Sequence, residues 1–217
     1  SHPASIGSDS SCGDRSHHYA GRMSRPFSEH VSGDAWRHEA ETWIGEHVER
    51  TGRTVTGEIT QPRVRPWSTQ LVVPTDRGNL WFKANCPSMA FEPLLQAELA
   101  RLVPESFDVP FAIDADRGWM LTADRGTTLG ESHEPTVDDW RLLLAETARI
   151  QRVVADHRDA LIATGLPDCD PDTVPDRFDR IVDTFASLPT EHPSHVSPDV
   201  EVDLRAKRPA IVEAAAL

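Results

Sequence analysis

The sequence predicts an α+β fold in which a five-stranded antiparallel sheet carries one inserted helix and is followed by a run of helices. Three observations predict it. Short apolar runs between residues 54 and 122 are separated by turn-forming segments, among them Thr75-Asp76-Arg77-Gly78 and Asp114-Ala115-Asp116-Arg117-Gly118. The interval after the third run holds an amphipathic segment, Phe91-Glu92-Pro93-Leu94-Leu95-Gln96-Ala97-Glu98-Leu99. After Gly126 the apolar spacing changes from that of a strand to that of a helix.

Taken in order, the elements follow from local chemistry. Ser1 to about Arg22 is rich in Ser, Gly, His and Asp and nearly free of apolar residues, which predicts a disordered extension over residues 1–22 without the apolar core of a secretion signal. Met23 reads as a natural start. Cys12, Asp14, His17 and His18 lie in that segment, but without Cys-x-x-Cys spacing they predict no metal site. From Asp34 to Arg50, Trp36, Ala40, Trp43, Ile44 and Val48 share one helical stripe, with Asp34 as candidate cap and Gly52 just past the end. Thr54 to Ile59, Thr69 to Val73 and Leu80 to Ala84 read as strands, the last two as a hairpin. A helix from about Ala90 to Leu102 follows, and Pro93 is tolerable only in its first turn. Pro110 to Ile113 and Trp119 to Thr122 form a second hairpin.

Beyond Gly126, Thr136-Val137-Asp138-Asp139 resembles a capping box, and Trp140, Leu143, Leu144, Ala148, Ile150 and Val154 mark the buried face of a long helix. A short helix, His157 to Thr164, is closed by Gly165. Another starts at Pro175 and carries Phe178, Ile181, Val182 and Phe185. Leu188 to Pro198 is a Pro- and His-rich loop, and Asp199 to Leu217 a last helix interrupted by Pro209. The expected organisation is a small lobe with a leading helix over residues 23–124 and a helical part over residues 125–217.

Composition narrows the function classes. A chain of 217 residues holds one large domain or two small lobes. A formal net charge of −13 argues against a nucleic-acid binder, which needs clustered Lys and Arg. No apolar run is long enough to span a membrane. Cys12, Cys86 and Cys169 are far apart and odd in number, so no disulfide framework is predicted and a reducing, cytoplasmic setting is expected.

Only two lysines occur, Lys83 and Lys207, and Lys83 sits at the centre of the apolar run Asn79-Leu80-Trp81-Phe82-Lys83-Ala84-Asn85. An ammonium on such a strand must meet an anion or emerge at a cleft, since burial without a partner costs several kcal/mol. A compact charge on a rigid strand suits a phosphate. The alternative is that its stem packs on Trp81 while the head reaches water.

Lys83 is preceded by the polar turn Arg65-Pro66-Trp67-Ser68-Thr69 and followed by the Phe91–Leu99 helix and then by Arg117-Gly118-Trp119-Met120-Leu121-Thr122-Ala123-Asp124-Arg125-Gly126. That order resembles the nucleotide-binding lobe of the aminoglycoside phosphotransferase and choline-kinase-like families, which share the protein-kinase fold. The resemblance runs from about Asp34 to the end of the chain and is strongest over residues 65–84, 91–102, 118–129 and 140–151. It implies a kinase-like N-lobe sheet with an inserted helix, a hinge, and an incomplete helical C-lobe.

By the same resemblance, Lys83 would contact the α- and β-phosphates of ATP and be held by Glu92, with Glu98 a weaker candidate. Ser68 and Thr69 would lie in the phosphate-covering turn, and the backbone of Thr122, Ala123 and Asp124 would pair with adenine. No catalytic residue is assigned. Kinases of this type need a catalytic aspartate, an asparagine for magnesium and a second metal-binding aspartate. No asparagine follows Asn85, so the one His-x-Asp triplet after Asp124, His157-Arg158-Asp159, has no asparagine behind it. Magnesium ligands are therefore missing and ATP binding is expected to be weak or lost. Asp138-Asp139-Trp140 is better explained as the start of a helix, and Asp168-Cys169-Asp170-Pro171-Asp172 as an acidic turn.

Arg205 to Leu217 resembles the family helix that precedes the catalytic loop, so the chain is expected to stop where catalysis would be supplied. The leading expectation is the front portion of an ATP-dependent small-molecule kinase, inactive by itself, with an unknown acceptor hydroxyl. The alternative is a degenerate kinase-fold nucleotide-binding or interaction module. Neither nucleic acid nor membrane is an expected partner. Self-association through uncovered apolar helices is expected.

Overall fold

The computed structural model describes residues 26–192 and 194–216. The proposed disordered extension, the start at Met23 and the group Cys12, Asp14, His17 and His18 lie outside the described residues. A short helix α1 (Phe27–His30) leads into α2 (Asp34–Arg50), which begins after Gly33 rather than at a side-chain cap and is followed by Gly52 at φ 70°. Trp36, Ala40, Trp43, Ile44 and Val48 are all buried, as their spacing predicts.

The strands are β1 (Thr60–Val64), β2 (Ser68–Val73), β3 (Leu80–Asn85), β4 (Ala112–Asp114) and β5 (Trp119–Ala123), and they form one antiparallel sheet in the order β1-β2-β3-β5-β4. The α+β class with a five-stranded antiparallel sheet is thus established. The first strand is not where the sequence places it. Residues 54–59 make only an isolated bridge, Val55 to Thr75, and are otherwise held by single bonds to the β2–β3 connection, such as Thr56 N–H to the Pro74 carbonyl. The strand lies at Thr60–Val64 instead, despite Pro62. A proline is tolerable there because β1 is an edge strand whose register with β2 shifts between Thr60 and Arg63.

Strand alternation divides the sheet into two unlike faces. One carries Thr69, Leu71, Val73, Leu80, Phe82, Ala84, Trp119 and Leu121, all buried beneath α2. Trp36, Trp43, Phe82 and Trp119 pack there with ring centroids 5.4–6.3 Å apart, in the edge-on and tilted arrangements that aromatic quadrupoles favour. Arg117 stacks over Trp119 at 4.1 Å and bonds both Glu39 of α2 and Asp114, so the β4–β5 turn is fastened to α2. The other face carries Gln70, Lys83 and Met120 in one cross-strand row.

A 3-10 turn (Pro87–Met89) leads into the inserted helix α3 (Glu92–Leu102), with Pro93 in its first turn as required. After β5 come α4 (Leu129–Ser132), α5 (Val137–Ala155) and α6 (Arg158–Ala163). Thr136 and Asp139 close the expected capping box on α5. Helices α5 and α6 pack on α3, and the chain forms two compact units whose boundary lies between Leu166 and Pro167. The expected buried face of α5 is formed only in part: Ala148, Ile150 and Val154 are half-buried, whereas Trp140, Leu143 and Leu144 are exposed. Polar bonds add to this hold on α5: Arg149 bonds Glu105, Ser106 and Glu146, and Glu146 accepts from Ser106.

The second unit holds α7 (Val174–Ala186), α8 (Pro198–Ala206) and α9 (Arg208–Ala215), packed on one another. The expected last helix is two helices that meet at Lys207, with Pro209 in the first turn of α9. Among the described residues no helix is long and apolar enough to cross a membrane.

Candidate functional site

Lys83 projects from the middle strand of the sheet, where its flanking partners Gln70 and Met120 fix its height and direction. Its Nζ bonds Oε1 of Glu92, the first residue of α3. Both side chains keep about a quarter of their surface open, 21% for Lys83 and 27% for Glu92. The pair is therefore neither sealed in the core nor free in water. Of the two readings of Lys83, the anion-paired one describes its position. Glu92 owes its place to the first turn of α3, where the helix dipole favours a carboxylate. Glu98, the other candidate, is committed elsewhere: Arg101 bonds both its oxygens, at 2.6 and 3.0 Å, and that bond lowers its pKa.

Ser68 and Thr69 separate. Consecutive strand residues face opposite sides. Ser68 is the cross-strand partner of Asn85 and shares its face with Lys83. Thr69 is fully buried on the α2 side, where its hydroxyl donates to the Arg63 carbonyl at 2.9 Å and accepts from Gln61 at 2.7 Å. Its side chain is a core fastening and not part of a phosphate-covering turn.

The segment Thr122, Ala123 and Asp124 closes β5. The Asp124 N–H donates to the Asn79 carbonyl at 3.3 Å and its Oδ1 accepts from Gly126 N–H at 2.8 Å, while the Thr122 hydroxyl reaches the Trp81 carbonyl at 3.4 Å. Antiparallel bonding alternates, so with Asp124 bonded to Asn79, the N–H and carbonyl of Ala123 point away from β3. Strand β4 pairs only as far as Leu121. Of the three residues, Ala123 is the one whose backbone groups are turned outward.

Sequence reasoning singled out neither Asn85 nor Gly118 as functional. Asn85 is 4% exposed, and both its N–H and its Nδ2 bond the Gly118 carbonyl, at 3.1 and 3.2 Å, while its Oδ1 has no partner among the described residues. Only the apolar context of a strand-ending asparagine hinted at this.

The acidic segments resolve as structure. Asp139 is a capping residue that accepts from Thr136 and His133, bonds that hold its carboxyl at about 2. Asp168 and Asp170 accept backbone N–H bonds from Asp170 and Asp172, as an acidic turn would. Among the described residues no group of three or more His, Cys, Asp or Glu side chains is arranged to hold a metal ion. No family model, curated protein or solved structure matches the chain.

Proposed function

We propose that the sheet and α3 form a binding site for the phosphates of a nucleotide such as ATP, of the kind found in small-molecule phosphotransferases with a kinase-like fold. The observation that carries the reading is the partly exposed Lys83–Glu92 pair on the side of the sheet opposite α2. An ammonium has three donors, and Glu92 takes one, leaving two for phosphate oxygens. The carboxylate holds the ammonium in place and aims it along the strand face. Ser68 lies on the same face, two residues along the sheet, and its hydroxyl would add a neutral contact. At the other end of β5 the outward N–H and carbonyl of Ala123 present a donor and an acceptor that would be available to a base edge.

When bound, the nucleotide would supply an electrophilic phosphoryl group. No asparagine follows Asn85, so the family's magnesium-binding asparagine is not among these residues, and the proposal is for nucleotide binding with no transfer step assigned to them. A second reading, an interaction module on a kinase-like fold, is favoured by the exposure of Trp140, Leu142, Leu143 and Leu144 on one helix.

Calorimetric titration with ATP tests the proposal. Wild type should bind, and Lys83→Ala should weaken binding about tenfold or more, equivalent to about 1.4 kcal/mol. Lys207→Ala should bind as wild type does. No heat at millimolar nucleotide, or equal affinity for wild type and Lys83→Ala, would reject the nucleotide site.

A further inference from the structure

The two residues that precede Glu92 are each approached by a glycine in the left-handed region. At Gly118, φ 67°, an added Cβ would stand 3.0 Å from the Cα and 3.1 Å from the Cβ of Ala90. At Gly165, φ 93°, it would stand 3.3 Å from the Cβ of Phe91. Three other glycines with positive φ, Gly52, Gly78 and Gly126, have nothing within 4 Å of the same point. The conformation alone therefore does not explain the crowding. Gly118 belongs to the β4–β5 turn and Gly165 follows α6, so two distant loops converge on the start of α3.

A second link runs back to Lys83. Asn85 lies two residues beyond it on β3, and its backbone N–H and side-chain Nδ2 both bond the Gly118 carbonyl. The strand that carries the lysine and the helix that carries the glutamate are thus joined through one glycine.

We propose that Gly118 and Gly165 are positioning residues for Glu92, seating Ala90 and Phe91 so that the first turn of α3 stands at bonding distance from Lys83. Their lack of a side chain sets that distance. A methyl group at Gly118 meets a backbone carbon, which cannot swing aside as a side-chain tip would, so α3 must shift outward with Glu92 on it. At Gly165 the contact is looser and the expected shift smaller. This inference deepens the nucleotide-phosphate reading of Lys83 and rests on it for its functional meaning.

Because the chain has only two lysines, trace acylation of the full chain reads the pair directly, with exposed Lys207 as internal reference. Glu92→Gln sets the value for an unpaired Lys83. In Gly118→Ala the Lys83/Lys207 labelling ratio should rise about fivefold, the upper range for a part-exposed ion pair. Gly165→Ala should raise it less. Gly78→Ala, which imposes the same backbone conformation on alanine in open space, should leave it unchanged. If Gly118→Ala does not fold, Asn85→Ala, which loosens the tie to Gly118, must show the rise instead. Unchanged ratios in the folded Gly118, Gly165 and Asn85 variants, or an equal rise in Gly78→Ala, would overturn the inference. These ratios are read without nucleotide, so a wild type that fails to bind ATP would remove the nucleotide reading and leave the positioning intact.

Discussion

Helices α2 and α5 are of similar length, 17 and 19 residues, and both carry tryptophan and branched aliphatic residues at helical spacing. In α2 five such residues are buried, whereas α5 buries none and leaves Trp140, Leu142, Leu143 and Leu144 about half exposed or more. The difference is one of partners. The apolar side of the sheet receives α2, and four aromatic rings lock it there. Helix α5 is tied through Arg149 and Glu146 to Ser106 in the loop after α3, and the first half of its apolar stripe is left without cover among the described residues. Amphipathic spacing shows that a helix has a face to bury, but the surface that will receive it comes from elsewhere in the chain.

The largest expected effect breaks that comparison at its strong end. Trp43→Ala should destabilise the chain by about 3–5 kcal/mol, because it empties a ring-lined site that cannot collapse. Trp140→Ala should change stability by no more than about 0.5 kcal/mol and should reduce self-association. Urea denaturation and light scattering of the two variants check both halves. Equal losses of stability would mean that α5 buries its stripe in solution.

A smaller effect sharpens the polar end. Bonds from Arg149 and then Ser106 hold the Glu146 carboxyl at about 2, below its ordinary 4.5. A depressed folded pKa contributes stability that is complete above the unfolded value and is lost as pH falls through the folded one. The melting-temperature gap between wild type and Glu146→Gln should therefore be full near neutrality, narrow below about pH 4.5, and vanish near pH 2. A gap that stays constant across this window would show that Arg149 does not hold Glu146 in solution. Both groups are well exposed, so the gap itself should be small.

Much of the sheet was legible because turn residues and alternation are local signals: the β2–β3 and β4–β5 hairpins lie within a residue or two of where the sequence places them. The first strand was not, since Pro62 reads as a breaker and only its edge position makes it tolerable. The pairing of Lys83 with Glu92 was legible from one lysine in an apolar strand and one glutamate at a helix start. The parting of Ser68 from Thr69 followed from a strand that begins one residue earlier than expected, which sets both inside the ladder. The contacts of Gly118 and Gly165 with Ala90 and Phe91 span 28 and 74 residues of sequence, and no local pattern announces them.

The central claim is a place as well as an affinity, and amide chemical-shift mapping with a non-hydrolysable ATP analogue tests the place. The account predicts saturable shifts at Ser68, Lys83, Glu92, Ala123 and Asp124, with α2 and the second unit unchanged, and their loss in Lys83→Ala. Shifts confined to α7, α8 and α9, or shifts around β3 that persist unchanged in Lys83→Ala, would contradict it.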